Sequence, residues 1–171
     1  MIERYKVYKV PSLKLKQKAA PVETIDDEIQ LVLDRMLKTM YEDDGMGLAA
    51  PQVGIMKRIM IIDPSDRHEE PNPLFFINPK IVWKSDVEIE LAEACISVPG
   101  VQGNLIRPAE VEIEYTDRYN NTQSIRGGEY FGRCMQHEMD HLNGMTFLDH
   151  LSPIKRRMLL NRSMRYQKAE L

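Results

Sequence analysis

The chain has 171 residues, of which 43% are hydrophobic and 29% charged, with a formal net charge of −3. This length suits a single domain over residues 1–171 whose core needs no disulfide bond. The modest charge gives no indication of DNA binding, no apolar run reaches the length of a bilayer span, and the N-terminus lacks a secretory signal, so we expect a cytoplasmic protein.

The N-terminal third predicts an extended arm followed by one helix. Prolines and scattered lysines in residues 1–23 favour an arm without regular structure. Thr24 is a good N-cap for a helix, and three acidic residues follow in the first turn, where the helix dipole favours negative charge. Apolar residues then recur at helical spacing as far as Met40, and Gly45 is the expected end of this helix.

The central part of the chain predicts strands. Residues 58–63 indicate a short buried strand, and the polar segment 64–73 indicates a surface loop. Residues 93–100 interrupt the strand pattern. Further strands are predicted at residues 75–78, 80–83, 87–91, 111–115 and 122–126.

The most informative stretch lies in a helix predicted over residues 129–143 and ended by Gly144. It contains His137 and His141 four residues apart, so that their Cα atoms lie about 6 Å apart along the axis of one helix face and the two imidazoles can reach one metal ion. Glu138 lies beside them, suited to exchange a proton with a water at the metal rather than to bind it. On this motif alone, two partly exposed surface histidines remain an alternative.

Two cysteines are candidates for a third metal ligand. Cys134 lies on the same helix face, but residues 134 and 141 are about 10.5 Å apart along the axis, too far for both to bind one ion with His137 between them. Cys134 therefore fits better as a small buried hydrophobe. Cys95 lies in a separate segment and can approach the open side of the histidine pair. A Cys/His/His set leaves one position for water, as in catalytic sites, whereas a closed structural site would require His150, beyond the end of the helix.

The C-terminal segment predicts a basic helix. Ser152 and Pro153 form a good helix start, and the helix is expected over residues 153–168. It serves either as a solvated face that aids solubility or as a docking surface for a polyanion. Its basic residues are Lys155, Arg156, Arg157, Arg162, Arg165 and Lys168.

Three short motifs occur in order along the chain. They are Gly-Met-Gly-Leu-Ala-Ala-Pro-Gln at residues 45–52, Glu-Ala-Cys-Ile-Ser at residues 93–97, and Gln-His-Glu-Met-Asp-His-Leu-Asn-Gly at residues 136–144. They resemble the three signatures of peptide deformylases, G-x-G-L-A-A-P-Q, E-G-C-L-S and Q-H-E-x-D-H-L-x-G. The first and third match without a departure, while the second has Ala94 in place of glycine and Ile96 in place of leucine. If the backbone at Ala94 needs a positive φ, its methyl group would be strained.

The resemblance implies an α+β fold in which antiparallel β-sheets pack around a central helix that carries the two histidines, followed by a C-terminal helix. It also implies a metal-dependent hydrolase that removes the N-formyl group from the N-terminal methionine of newly synthesised polypeptides. One divalent metal would be bound by Cys95, His137 and His141, with Fe(II) as the physiological ion and zinc, nickel or cobalt as substitutes.

The resemblance further implies roles for individual residues. Glu138 would act as general base and acid, and the Gln52 amide and the Ile96 backbone N–H would stabilise the oxyanion. The formyl-methionyl peptide is expected to contact Gly47, Met46, Leu91, Tyr130 and Cys134.

Two other functions remain open at this stage. The first is a zincin-type endopeptidase, and the second is a deformylase-like protein that Ala94 has weakened and that binds metal or the ribosome. The basic C-terminal helix looks like the one that docks some bacterial deformylases near the ribosomal exit tunnel. We therefore expect nascent peptides and the ribosome as partners, and a monomeric protein.

Overall fold

Along the chain, one α-helix comes first, seven strands follow it, and two further α-helices come after the strands. The structure, a computed structural model, describes all 171 residues. No helix combines the length and apolar character needed to cross a membrane. The elements in chain order are α1 (Asp27–Glu42), β1 (Gly47–Ala49), β2 (Ile59–Ile62), β3 (Leu74–Lys84), β4 (Glu88–Cys95), β5 (Val98–Pro108), β6 (Glu110–Thr116), β7 (Thr122–Gly128), α2 (Glu129–Leu142) and α3 (Pro153–Ala169).

The strands form two antiparallel sheets that contact opposite sides of α2. One sheet has five strands in the order β1-β2-β3-β6-β7, and the other is the β4–β5 hairpin. On one side of α2, Met135, Met139 and Leu142 join the core residues of the five-stranded sheet. On the other side, Arg133 and His137 bond to Glu93 of β4. The expected α+β fold around a central helix is confirmed.

Helix α1 packs on β1 and β2 through Met36 and Met40, both fully buried. The predicted N-cap, Thr24, is wrong, because the helix begins after Asp26, whose carboxylate accepts a hydrogen bond from the Ile29 N–H. The helix ends before Gly45, whose N–H bonds to the Met40 carbonyl at 2.9 Å and so satisfies one of the last carbonyls of the helix.

Helix α3 packs on β5 by a narrow face. Leu159 lies in the core formed with the hairpin, and the Ser163 hydroxyl donates to the Pro99 carbonyl at 2.7 Å. Gly100 has a φ of +79°, and a Cβ there would lie 2.4 Å from the ring of Tyr166. All six basic residues of α3 are exposed, and the predicted helix over 153–168 is confirmed with one further residue.

Three predictions for the strands need correction. Residues 93–100 do not interrupt the sheet, since Ile96 and Ser97 form a tight turn between β4 and β5, a strand that the sequence did not indicate. The strands predicted at 75–78 and 80–83 are one strand, because Pro79 lies at a register shift where a missing N–H is tolerated. Residues 45–52, for which no strand was predicted, contain β1, which pairs with β2.

Candidate active site

Helix α2 and the end of β4 bring three metal-binding side chains together. The Cys95 sulfur lies 3.3 Å from Nε2 of His141, and one donor atom from each of Cys95, His137 and His141 lies within 4.8 Å of the others. The predicted ligand set therefore converges on one point. Cys134 and His150 are not part of this cluster, which agrees with the argument from helix geometry.

The unpaired polar atoms of the chain also point to this cluster. Only two buried side-chain nitrogen or oxygen atoms have no hydrogen-bond partner, Oε2 of Glu138 and Nδ1 of His141. Buried polar atoms are normally paired, so their location together marks a site rather than a packing defect. One thiolate and two imidazoles are a donor set that suits Zn²⁺, Fe²⁺, Co²⁺ or Ni²⁺ with a coordination position left open. The residues present thus fit a single divalent metal.

Glu93 orients one of the histidines, a role that the sequence reasoning missed. Its Oε1 accepts a hydrogen bond from Nδ1 of His137 at 2.9 Å, which leaves Nε2 of that ring for a metal. Arg107 binds the same carboxylate with two nitrogens, at 2.6 and 2.9 Å. Burial alone would raise the pKa of Glu93, but the hydrogen bonds from His137 and Arg107 lower this pKa to about 2. The sequence did offer one indication of this role: Glu93 lies two positions before Cys95, so the two side chains lie on the same face of a strand.

Glu138 lies next to the metal ligands in a dry environment. It is 3% exposed, and burial raises its pKa to about 7. Strand β1 passes directly over it, since a Cβ built on Gly47 would lie 2.8 Å from both Oε1 of Glu138 and Sγ of Cys134. Glycine is therefore required at position 47 by the close approach of the two elements.

The side chain of Gln52 is held in one orientation at the same site. Its Oε1 accepts a hydrogen bond from the Ala49 N–H at 2.8 Å, and its Nε2 donates to the Ser97 hydroxyl at 3.1 Å. The same Nε2 lies 3.6 Å from the Cys95 sulfur. The amide thus turns its N–H groups toward the cluster, and the hairpin turn places Ile96 on the same side.

A cavity of about 170 Å³ opens beside the cluster. Leu91, which was predicted to contact the substrate, is not among its lining residues. Tyr130 lies at its exposed rim, and burial raises the pKa of the Cys134 thiol, which keeps that wall uncharged. The predicted site residues that line the cavity are Met46, Gly47, Gln52, Cys95, Ile96, Tyr130, Cys134, His137 and Glu138.

Ala94 also lines the cavity without backbone strain. The non-glycine residues with positive φ are Asp44, Asn78, Asn120 and Glu129, so Ala94 has an ordinary strand conformation. Ala94 lies next to the last residue of β4, and its side chain is exposed. The strain argument raised by the sequence therefore does not apply to the methyl group at this position.

Comparison with known proteins gives one consistent match. Residues 4–157 match the profile of the polypeptide deformylase family. A peptide deformylase of Phenylobacterium zucineum is 43% identical over 161 residues, which cover 94% of this chain and 95% of that protein. One of Rhizobium meliloti is 42% identical over 153 residues, covering 90% of this chain and 88% of that protein.

Solved structures agree with the sequence matches. A peptide deformylase from Legionella pneumophila superposes with a TM-score of 0.92 at 36% identity, covering 98% of this chain and 97% of that chain. A peptide deformylase from Ehrlichia chaffeensis in complex with actinonin superposes with a TM-score of 0.91 at 36% identity, covering 96% of this chain and 98% of that chain.

Proposed function

This chain belongs to the polypeptide deformylase family, and we propose that it removes the N-formyl group from the N-terminal methionine of newly synthesised polypeptides. The observation that carries the proposal is the convergence of Cys95, His137 and His141 beside a buried, unpaired Glu138 at the end of a cavity. Formylated chains are products of the ribosome, so the proposed place of action is the cytoplasm. Every proposed site residue comes from one chain, so the site needs no second copy, and we propose a monomer.

The three ligands would hold one divalent metal, with Fe(II) as the proposed physiological ion and zinc, nickel or cobalt as substitutes. When bound, the ion supplies Lewis-acid chemistry, lowering the pKa of a water and polarising the formyl carbonyl. Glu93 keeps the His137 ring in the tautomer that presents Nε2 to the ion. Oxidation of the Cys95 thiolate would remove one ligand, so handling under nitrogen is required.

Glu138 is the proposed general base and acid. It takes a proton from the attacking water and delivers it to the amine that leaves when the formyl C–N bond breaks. A pKa of about 7, raised by burial, suits a group that gains and loses a proton near neutral pH. Its unpaired Oε2 is free to carry that proton.

Two donors are proposed to stabilise the oxyanion of the formyl group. The Gln52 amide is fixed with its N–H groups toward the cluster by the bond that its Oε1 accepts from Ala49. The backbone N–H of Ile96, in the turn after β4, is the second donor. Donors that are already oriented need no rearrangement as negative charge develops, which is the main source of their catalytic effect.

The cavity is the proposed site for the methionine side chain. Met46 and Tyr130 lie at its mouth and Cys134 forms a neutral wall, an environment suited to a thioether. The backbone of β1 at Gly47 would pair with the peptide that follows, since β1 is an edge strand of its sheet. Leu91 has no place in this pocket.

The decisive assay measures formate released from formyl-Met-Ala-Ser by the iron-loaded protein under nitrogen. We expect rapid release of formate, no cleavage of internal peptide bonds and no reaction with unformylated Met-Ala-Ser. Cleavage of both peptides at internal bonds would instead identify an endopeptidase. Full metal content without formate release would identify a weakened, metal-binding relative, and the activity of Ala94→Gly would then test whether the methyl group that lines the cavity is the cause.

The exposed charge of α3 is proposed to dock on the ribosome, a polyanion, near the exit tunnel. Deleting the helix is a poor test because Leu159 and Ser163 are buried against β5. Substitution of exposed arginines that have no ion-pair partner leaves that packing intact. The test variant is Arg157→Gln, Arg162→Gln and Arg165→Gln, and the matched control is Lys57→Gln, Lys80→Gln and Lys84→Gln.

We expect the α3 variant to bind ribosomes more weakly and with a smaller dependence on salt, since fewer counterions are released on binding. The control variant removes the same charge elsewhere and is expected to bind as the original protein does. Equal affinity of both variants in a sedimentation assay would contradict docking through α3, and both are expected to retain full activity on short peptides.

A further inference from the structure

A chain of ion pairs and hydrogen bonds continues from Glu93 to the protein surface. Arg107, which binds Glu93 with two nitrogens, also places its Nη1 2.8 Å from Oδ2 of Asp140. The same carboxylate oxygen accepts a hydrogen bond from Nε2 of His150 at 2.8 Å. His150, Asp140, Arg107, Glu93 and His137 therefore form one continuous series of contacts that ends at a proposed metal ligand.

Burial increases at each step from His150 to Glu93. The side chain of His150 is 35% exposed and that of Asp140 is 15% exposed, whereas Arg107 and Glu93 are 8% and 2% exposed. Charges interact more strongly where water is excluded, so the inner pairs depend on every partner being in place. The series thus links a surface residue to the least hydrated part of the site.

The two arginines that bind Glu93 are anchored differently. Arg133 donates to the backbone carbonyls of Ile89 at 2.7 Å and Leu105 at 3.0 Å, so strands β4 and β5 hold it directly. Arg107 has no such backbone anchor, and beyond Glu93 its only partner is the carboxylate of Asp140. Removal of the Asp140 charge would leave one nitrogen of the buried Arg107 guanidinium without its ion-pair partner.

We propose that Asp140, held in place by His150, is a positioning residue for the metal site. It fixes Arg107, which fixes the Glu93 carboxylate, which in turn sets the ring orientation and tautomer of His137. The inference rests on the proposed metal site and deepens the proposed function. Loss of a partner that bonds directly to a metal ligand, as Glu93 does, typically changes metal affinity by about 10–100-fold. Asp140 acts on His137 through Arg107 and Glu93, so we expect an effect at the lower end of that range.

The test uses Co²⁺ binding to the metal-free full chain, followed by the visible absorption of the bound ion. Asp140→Asn keeps the shape of the side chain and removes its charge, and we expect about tenfold weaker binding with an altered absorption spectrum. His150→Leu, at an exposed position, is expected to cause a smaller loss in the same direction. His150→Gln retains a donor toward Asp140 and is expected to restore the original affinity and spectrum.

The matched control is Asp34→Asn on α1, which breaks another Asp–Arg pair, to Arg118 at 2.8 Å, away from the site. We expect its Co²⁺ affinity and spectrum to equal those of the original protein. The positioning role would be overturned if Asp140→Asn behaved like this control, or, should that variant fold poorly, if His150→Leu and His150→Gln bound Co²⁺ equally well. Failure of the original protein to release formate would instead reject the proposed function, since Co²⁺ affinity is read independently of activity.

Discussion

Helices α2 and α3 carry their charged residues in opposite ways. In α2 nine of 14 residues are buried, and they include Arg133, His137, Glu138 and His141. In α3 only Leu159 and Ser163 of 17 residues are buried, and every basic side chain is exposed. Burial of an ionisable group costs free energy unless the group is paired with another, and groups buried in spite of this cost cluster at functional sites. The buried charges of α2 therefore indicate chemistry, whereas the exposed charges of α3 indicate contact with solvent or a partner.

The largest effect expected from this contrast is the loss of a metal ligand. Cys95→Ala removes the only thiolate of the cluster, and we expect metal content and formate release both to fall to background. Elemental analysis after dialysis measures the metal. Cys134→Ala, which removes the other cysteine, is expected to keep one metal per chain. Retention of a full metal equivalent by Cys95→Ala would show that the sulfur is not a ligand.

The next effect separates metal binding from proton transfer. Glu138→Gln preserves the size of the side chain but cannot accept a proton, and we expect kcat to fall by about 10²–10⁴-fold with metal content unchanged. Formate release under saturating formyl-Met-Ala-Ser measures kcat directly. An unchanged kcat would remove Glu138 from the reaction and leave its burial without a functional explanation.

A smaller effect is expected where β1 meets α2. The Cβ of Gly47→Ala would lie 2.8 Å from Glu138 and from Cys134, so one of these side chains must move. Displacement of about 1 Å in a catalytic group can lower the rate by about 10²-fold, and we expect a loss of up to that size in kcat/KM. Gly128→Ala is the control, because its Cβ would lie no closer than 3.0 Å to any atom beyond its neighbours in the chain and the closest belongs to the flexible side chain of Glu110. Equal activity of both variants would contradict the close contact.

The smallest effect on activity is expected in α3. Leu159→Ala leaves a cavity in the core that α3 shares with the hairpin, and we expect the free energy of unfolding to fall by about 2–5 kcal/mol. Urea unfolding measures this loss, and kcat/KM should stay at the original value while the protein is folded. A catalytic defect of the size expected for Glu138→Gln would mean that α3 takes part in the site after all.

The same contrast explains which features the sequence could predict. Helix α2 was placed within one residue because apolar periodicity and a chemical motif coincide there. Strand β5 was missed because Pro99, Gly100 and Gly103 interrupt its alternation. The strand is stabilised by pairing with β4, a contact that local sequence preference does not encode.

The pairing of the charged side chains that support the site was beyond the reach of sequence patterns. Glu93 and Arg107 meet because β4 and β5 form a hairpin with a particular register, and Asp140 joins them because α2 packs across that hairpin. Glu93 and Asp140 belong to the same short motifs as the ligands, but Arg107 lies outside them, and no motif indicates that these three side chains meet. Contacts that arise from packing in this way become visible only in the folded structure.

X-ray absorption at the metal edge of the zinc-loaded protein tests the central claim most directly. The account predicts one metal per chain whose nearest neighbours are one sulfur and two imidazole nitrogens, with a light atom from solvent in the remaining position. A spectrum without a sulfur neighbour, or with a fourth protein ligand in place of solvent, would contradict it.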